Sequence, residues 1–210
     1  MRIARIIGVC LLGASILPAQ TVNCLVAVVN GRAITLLDVQ VVAEFGLAPP
    51  GPEETAKDPR FAALDALIDR AVILDMAREV RSVDRGETSA ALHRIREELG
   101  ESEFTRRLRM FGLHEKDLKP YVEEQLLFER ALALRFSRSL PVSQTEVERH
   151  YRDVYAPEQA RLGMAPEPLG RVQGLLEARV REEALKKQTE GWIKDLRARA
   201  DIRINKDCLK

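Results

Sequence analysis

The first patterned stretch of the chain is Leu25-Val26-Ala27-Val28-Val29, a β-branched apolar run closed by Asn30-Gly31. Asn-Gly beside such a run is a strong hairpin signal, because both residues tolerate the positive φ angles of a tight type I′ turn. Arg32-Ala33-Ile34 is the predicted return strand. Thr35 stands three residues before Asp38, the spacing of a capping box in which the ends of one helical turn satisfy each other's hydrogen bonds. A small hairpin is therefore predicted to feed a helix that runs to about Phe45.

From about Pro59 to Val80 the apolar residues Phe61, Leu64, Leu67, Ile68, Ala71 and Leu74 recur every three or four positions, the period of one helix face. Val72, Ile73 and Met76 make the second half apolar on nearly every side, which predicts a helix covered by neighbours at the centre of the core. Residues 87–99, with Leu92, Ile95 and Leu99, read as a more polar amphipathic helix ended by Gly100. Residues 101–111, with Phe104, Leu108 and Phe111, read as another, ended by Gly112. A long helix is predicted from about His114 to Leu140, striped by Leu118, Val122, Leu126, Leu132 and Phe136 and stopped by Pro141. Ser143 with Glu146 is a second capping box, for a short helix to about Tyr155. The last predicted helix covers about 169–200, with Val172, Leu176, Val180, Ala184, Trp192, Leu196 and Ala200 at helical spacing. Asp201-Ile202-Arg203-Ile204-Asn205 alternates polar and apolar, as a strand does. A lone strand is not stable, so its predicted partner is the hairpin at 25–34. Two proline-containing stretches, 47–59 and 156–168, read as a loop and a linker.

Composition agrees with a mainly helical protein. Of the 210 residues, 46% are hydrophobic and only 5% aromatic, so a core can form but an all-β sandwich is disfavoured. The net charge of +1 supplies no basic field, and no nucleic-acid partner is expected. At the N-terminus, Arg2 and Arg5 precede an uncharged apolar run, Ile6 to Leu17, and then Pro18-Ala19. Residues 1–19 read as a secretory signal peptide, too short to span a bilayer, so export without stable membrane insertion after cleavage is expected. Its loss removes two arginines and takes the net charge to −1. Cys10 leaves with it, and Cys24 and Cys208 remain near the two ends. In an oxidising compartment these two are expected to form a disulfide, since pairing of the terminal strand with the hairpin brings them together. Two independent thiols are the alternative; lipidation of Cys24 is disfavoured, because Asn23 is not the small residue a lipidation signal requires.

The chemistry-bearing signals are few. No glycine-rich phosphate loop is present, so no nucleotide is expected. His93, His114 and His150 lack metal-ligand spacing and read as solvated residues on helix surfaces. There is no G-x-S-x-G turn, and the many glutamates lie among arginines and lysines as paired helix faces do. Arg106, Arg107 and Arg109 read as part of such a face. No catalytic residue, metal site or cofactor is expected.

The ordered set of these strings resembles the SurA-like family of periplasmic chaperones and peptidyl-prolyl isomerases. Val26 to Gly31 with Ile34, Thr35 and Asp38 is similar to the family's opening hairpin and helix. Ala66 to Arg70 with Ile73 and Leu74 is similar to its next helix. Phe104, Leu108, Gly112, Leu113, Tyr121 and Gln125 resemble the passage through glycine into the long helix. Pro141 to Ser143 with Glu146, Val147 and Tyr151 resembles the exit from it, and Arg181 to Ile204 the closing helix and strand. The resemblance implies one mainly-α chaperone domain, built from residues 20–155 and 169–210, whose small β-hairpin pairs with the C-terminal strand. In the family, a parvulin isomerase domain commonly sits where this chain has only the linker at 156–168, so the resemblance implies a chaperone body and no isomerase catalysis.

The expected function is that of an ATP-independent chaperone in the periplasm that holds unfolded exported polypeptides, outer-membrane proteins among them, in an apolar groove. Met110, Phe111, Leu113 and Tyr121, near the Gly112 turn, are the candidate client-binding residues, though each of the four taken singly reads first as core packing; Met164 in the second linker is a further candidate. The alternatives are residual isomerase activity and a dedicated envelope assembly factor with one partner.

Overall fold

The computed structural model describes residues 24–48, 58–77, 82–136 and 141–209. The expected signal peptide, most of the 47–59 loop, and the predicted helix ends at 78–80 and 137–140 lie outside the described residues. Strands β1 (Leu25–Val29) and β2 (Arg32–Thr35) form the hairpin. Both of its turn residues have positive φ, 49° at Asn30 and 83° at Gly31, which explains why Asn-Gly stands there. Strand β3 (Ile202–Ile204) lies antiparallel on the other side of β1, giving the order β2-β1-β3 with Val28 opposite Arg203. Asn30 also ties the sheet together. Its backbone N–H donates to Asp201 O (2.9 Å), its side-chain oxygen accepts from Asp201 N (2.9 Å), and its Nδ2 donates to Asp75 (2.9 Å).

After β3, a single 3₁₀ turn (Lys206–Leu209) buries Leu209 in the core and presents Cys208 to Cys24. The two cysteines form a disulfide with a Cα–Cα distance of 5.9 Å, closing 184 residues of chain.

Helix α1 (Leu36–Glu44) starts at the Thr35–Asp38 capping box. Helix α2 (Pro59–Met76) starts at Asp58, whose carboxylate accepts from Arg60 N at 3.0 Å, with Pro59 in the first turn where its missing N–H is harmless. Helix α2 is the centre of the core and touches α1, α5 and α8, described below. Two of its residues depart from expectation: Phe61 and Met76 are exposed. Helices α3 (Arg85–Leu99) and α4 (Glu101–Met110) are joined by Gly100 alone, at φ 78°. Helix α5 (Glu115–Arg135) follows, and its first turn is capped by Asp117. At its end Phe136 meets Trp192 edge-to-face at 5.8 Å.

The segment expected as a linker differs. Helix α6 (Gln144–His150) runs through a π turn (Tyr151–Tyr155) into α7 (Ala156–Arg161) without a break, so only 162–168 is a connection. Pro157 does not stop the helix; it follows directly on the π turn, at the start of α7. Helix α8 (Leu169–Arg199) then supplies two cores. Its Val172 and Leu176 pack with Val147 and Tyr155 in a small second cluster, whereas Leu196 belongs to the main core. Leu176 and Leu196 are 20 positions apart in the sequence, which at 1.5 Å per residue is about 30 Å of helix. The stripe expected to be continuous is thus buried only near its ends; Val180 and Ala184 are half-buried and Leu185 is exposed. The whole is mainly α with one small antiparallel sheet.

Candidate functional site

A cleft of about 680 Å³ opens between β2, the start of α1, the second half of α2 and the first half of α5. It is larger than the clefts of about 190 and 360 Å³ found elsewhere in the described residues. Ile34 and Leu67, both buried, form its floor, with Leu74 and Leu127 half-buried beside them. Its rim is charged: Asp38, Asp117, Glu123 and Glu124 outnumber Arg32 and Lys116.

Hydrogen bonds fix the walls. Asp38 accepts through one oxygen from the Thr35 backbone (2.8 Å) and hydroxyl (2.7 Å), and through the other from the Tyr121 hydroxyl (2.7 Å). One carboxylate therefore caps α1 and holds the Tyr121 ring against the cleft. Burial, and then the bond to Asp38, push the Tyr121 phenol well above its ordinary pKa. Arg32 on β2 pairs with Glu124 on α5 across the opening. Asp117 accepts from His114 N at 2.8 Å, and this backbone bond holds its carboxyl below the usual range. Pro120 lies within α5 and lines the cleft; having no N–H, it leaves the Lys116 carbonyl without its helical donor.

Of the candidate client-binding residues, the structure places only Tyr121 in this cleft. Met110 is exposed at the end of α4, while Phe111 and Leu113 are half-buried and pack onto the main core around the Gly112 turn. Met164 is exposed in the 162–168 connection. The cleft residues of β2 and α2 carry no motif; the signal that could have found them is the open side of the predicted hairpin facing two predicted helices.

Three polar groups depart from a simple surface reading. Arg70 is 1% exposed within the apolar run of α2. Its Nη2 donates to the Leu47 carbonyl, its Nη1 is buried without a partner, and burial pulls its pKa down to about 10. Arg197 of α8 bonds Asp69 (2.5 Å) and Asp65 (3.1 Å) of α2, locking the two helices side by side. His150, expected to be solvated, is 7% exposed instead. It is enclosed where α6 crosses α8, with Nδ1 3.6 Å from Glu183 and Nε2 unpartnered. His93 and His114 are exposed. Glu103 takes both Arg106 and Arg107, whose hydrogen bonds lower its pKa to about 2, so these arginines serve an ion-paired helix face.

Among the described residues no three His, Cys, Asp or Glu side chains are placed to hold a metal ion, and no helix is long and apolar enough to cross a membrane. The cleft can offer a ligand apolar contact, a charged rim and, at β2, a strand edge. No protein-family model matches the sequence, and no curated protein matches it significantly.

Proposed function

We propose that the protein is an ATP-independent chaperone of the cell envelope that holds segments of unfolded exported polypeptides in the cleft between β2, α2 and α5. The observation that carries this reading is the cleft itself, open, with an apolar floor and a charged rim. An unfolded client exposes apolar side chains that gain about 25 cal/mol for each Å² they bury. An apolar floor that many different segments can contact binds each of them weakly, which suits a holding chaperone. The resemblance to the SurA-like family and the closed Cys24–Cys208 bridge, which persists in an oxidising compartment, support the same reading.

The test is suppression of aggregation, followed by light scattering, for several unrelated unfolded clients. The native protein is expected to suppress most of them. Leu127→Gln, which puts an amide on the half-buried cleft wall, is expected to suppress less at an unchanged melting temperature. Suppression of a single client would point to a dedicated assembly factor, and suppression of none would contradict the proposal.

A further inference from the structure

The cleft is bounded by the outer edge of β2, with which no other strand pairs among the described residues. Along β1, Asn30 N donates to Asp201 and Asn205 N donates to Val26 O, so Val26, Val28 and Asn30 direct their backbone groups toward β3. In an antiparallel ladder, directly opposed residues either bond each other or both face outward. Ala33 is opposite Val28, so its N–H and C=O point away from β1, toward the open side of β2. Ala33 is exposed and lines the cleft. An extended segment laid there would gain a hydrogen-bonded pair from a strand edge, the usual way a sheet captures peptide. The edge is short, because the neighbouring Thr35 N–H is already given to Asp38.

The rim adds a preference of charge. Glu124 is neutralised by Arg32 and Asp38 is held by the neutral Tyr121 and Thr35 groups, while Asp117 accepts from the His114 N–H with the His114 ring 3.5 Å away, and Lys116 is the one further cation of the rim among the described residues. Glu123 is exposed and has no ion-pair partner among the described residues. The mouth is thus left with an excess of negative charge over an apolar floor.

Resting on the chaperone reading above, we infer that the cleft selects extended segments in which Lys or Arg flanks apolar residues, and that it takes them by adding a strand to β2 at Ala33.

Fluorescence anisotropy with short extended peptides of one apolar sequence, flanked by Lys or by Glu, tests this on the full exported protein. The Lys-flanked peptide is expected to bind about tenfold more tightly at low salt, an advantage that fades at high salt as surface charges are screened. Glu123→Lys should narrow that advantage to about threefold, and methylating one backbone nitrogen of the peptide should weaken binding about tenfold at one register only. Equal binding of the two peptides, or indifference to N-methylation at every position, overturns this inference and leaves the chaperone proposal standing. Aggregation suppression without binding of either peptide also overturns it, since clients must then be held elsewhere. Absence of both binding and suppression removes the chaperone proposal and this inference with it.

Discussion

Asp38 and Tyr121 join the fold to the cleft through one hydrogen bond of 2.7 Å. Burial first, and the bond to Asp38 second, make the native state hold the Tyr121 proton more tightly than the unfolded chain does, so the folded state is favoured while the phenol stays protonated. That stabilisation is lost as the pH rises above about 10, where the unfolded phenol ionises first. Tyr121→Phe is expected to cost about 1 kcal/mol near neutrality and to flatten the alkaline fall in stability, as read from urea unfolding at several pH values. An unchanged alkaline slope would mean that the Tyr121 hydroxyl is neither buried nor bonded to Asp38 in solution. Arg70 tests the opposite case, a buried cation with no ion pair among the described residues, on which Glu124 and Glu129 act only at longer range. Replacing such a charge with an apolar chain of similar length is often neutral or stabilising, whereas truncating it leaves a void. Arg70→Met is expected to leave the melting temperature level or higher, and Arg70→Ala to lower stability by about 2–4 kcal/mol. A loss as large for Met as for Ala would show that the Leu47 carbonyl bond outweighs the buried charge.

The hairpin, the terminal strand and every helix but α7 were legible because their signals are local: Asn30-Gly31, the Thr35–Asp38 and Ser143–Glu146 boxes, and Gly100 at a forced φ of 78°. What local pattern could not convey is which apolar faces find a partner. Phe61 and Met76 belong to the apolar residues of a helix expected to be covered yet face solvent, since burial depends on distant helices. Pro157 was misleading because a proline stops a helix or begins one according to what precedes it, and here a π turn does. The cleft was legible only at Tyr121, because its other walls come from β2 and α2, more than 30 residues of sequence away. Helix α8, with one core near each end, gives the element-scale prediction. Leu176→Ala is expected to speed amide exchange in α6 and the first half of α8 while leaving α2 protected. Leu196→Ala should instead loosen α2, to which Arg197 ties α8. Equal loosening of both regions by either variant would show that the two clusters unfold as one unit.

At the scale of the molecule, the sheet and the bridge bring residues 24 and 208 together, so the described fold is closed at both ends. A bridge closing 184 residues restricts the unfolded chain by up to about 5 kcal/mol in the chain-entropy account. For a chain of this size that corresponds to about 10–20 °C in melting temperature. Reduction is expected to lower the melting temperature by at most that amount, and alkylation of the cleaved protein to find two thiols only after reduction. The acidic cleft then lies on a body that the bridge holds shut, which lets it present an open surface without unravelling.

The most direct test of the account is photo-crosslinking of an unfolded client to the native protein, with the crosslinker placed in turn at Glu123, Met110 and Leu175. All three positions are exposed, but only Glu123 borders the cleft. The account predicts strong crosslinks from Glu123 and weak ones from the other two. Crosslinks concentrated at Met110 or Leu175, with none at Glu123, would contradict it.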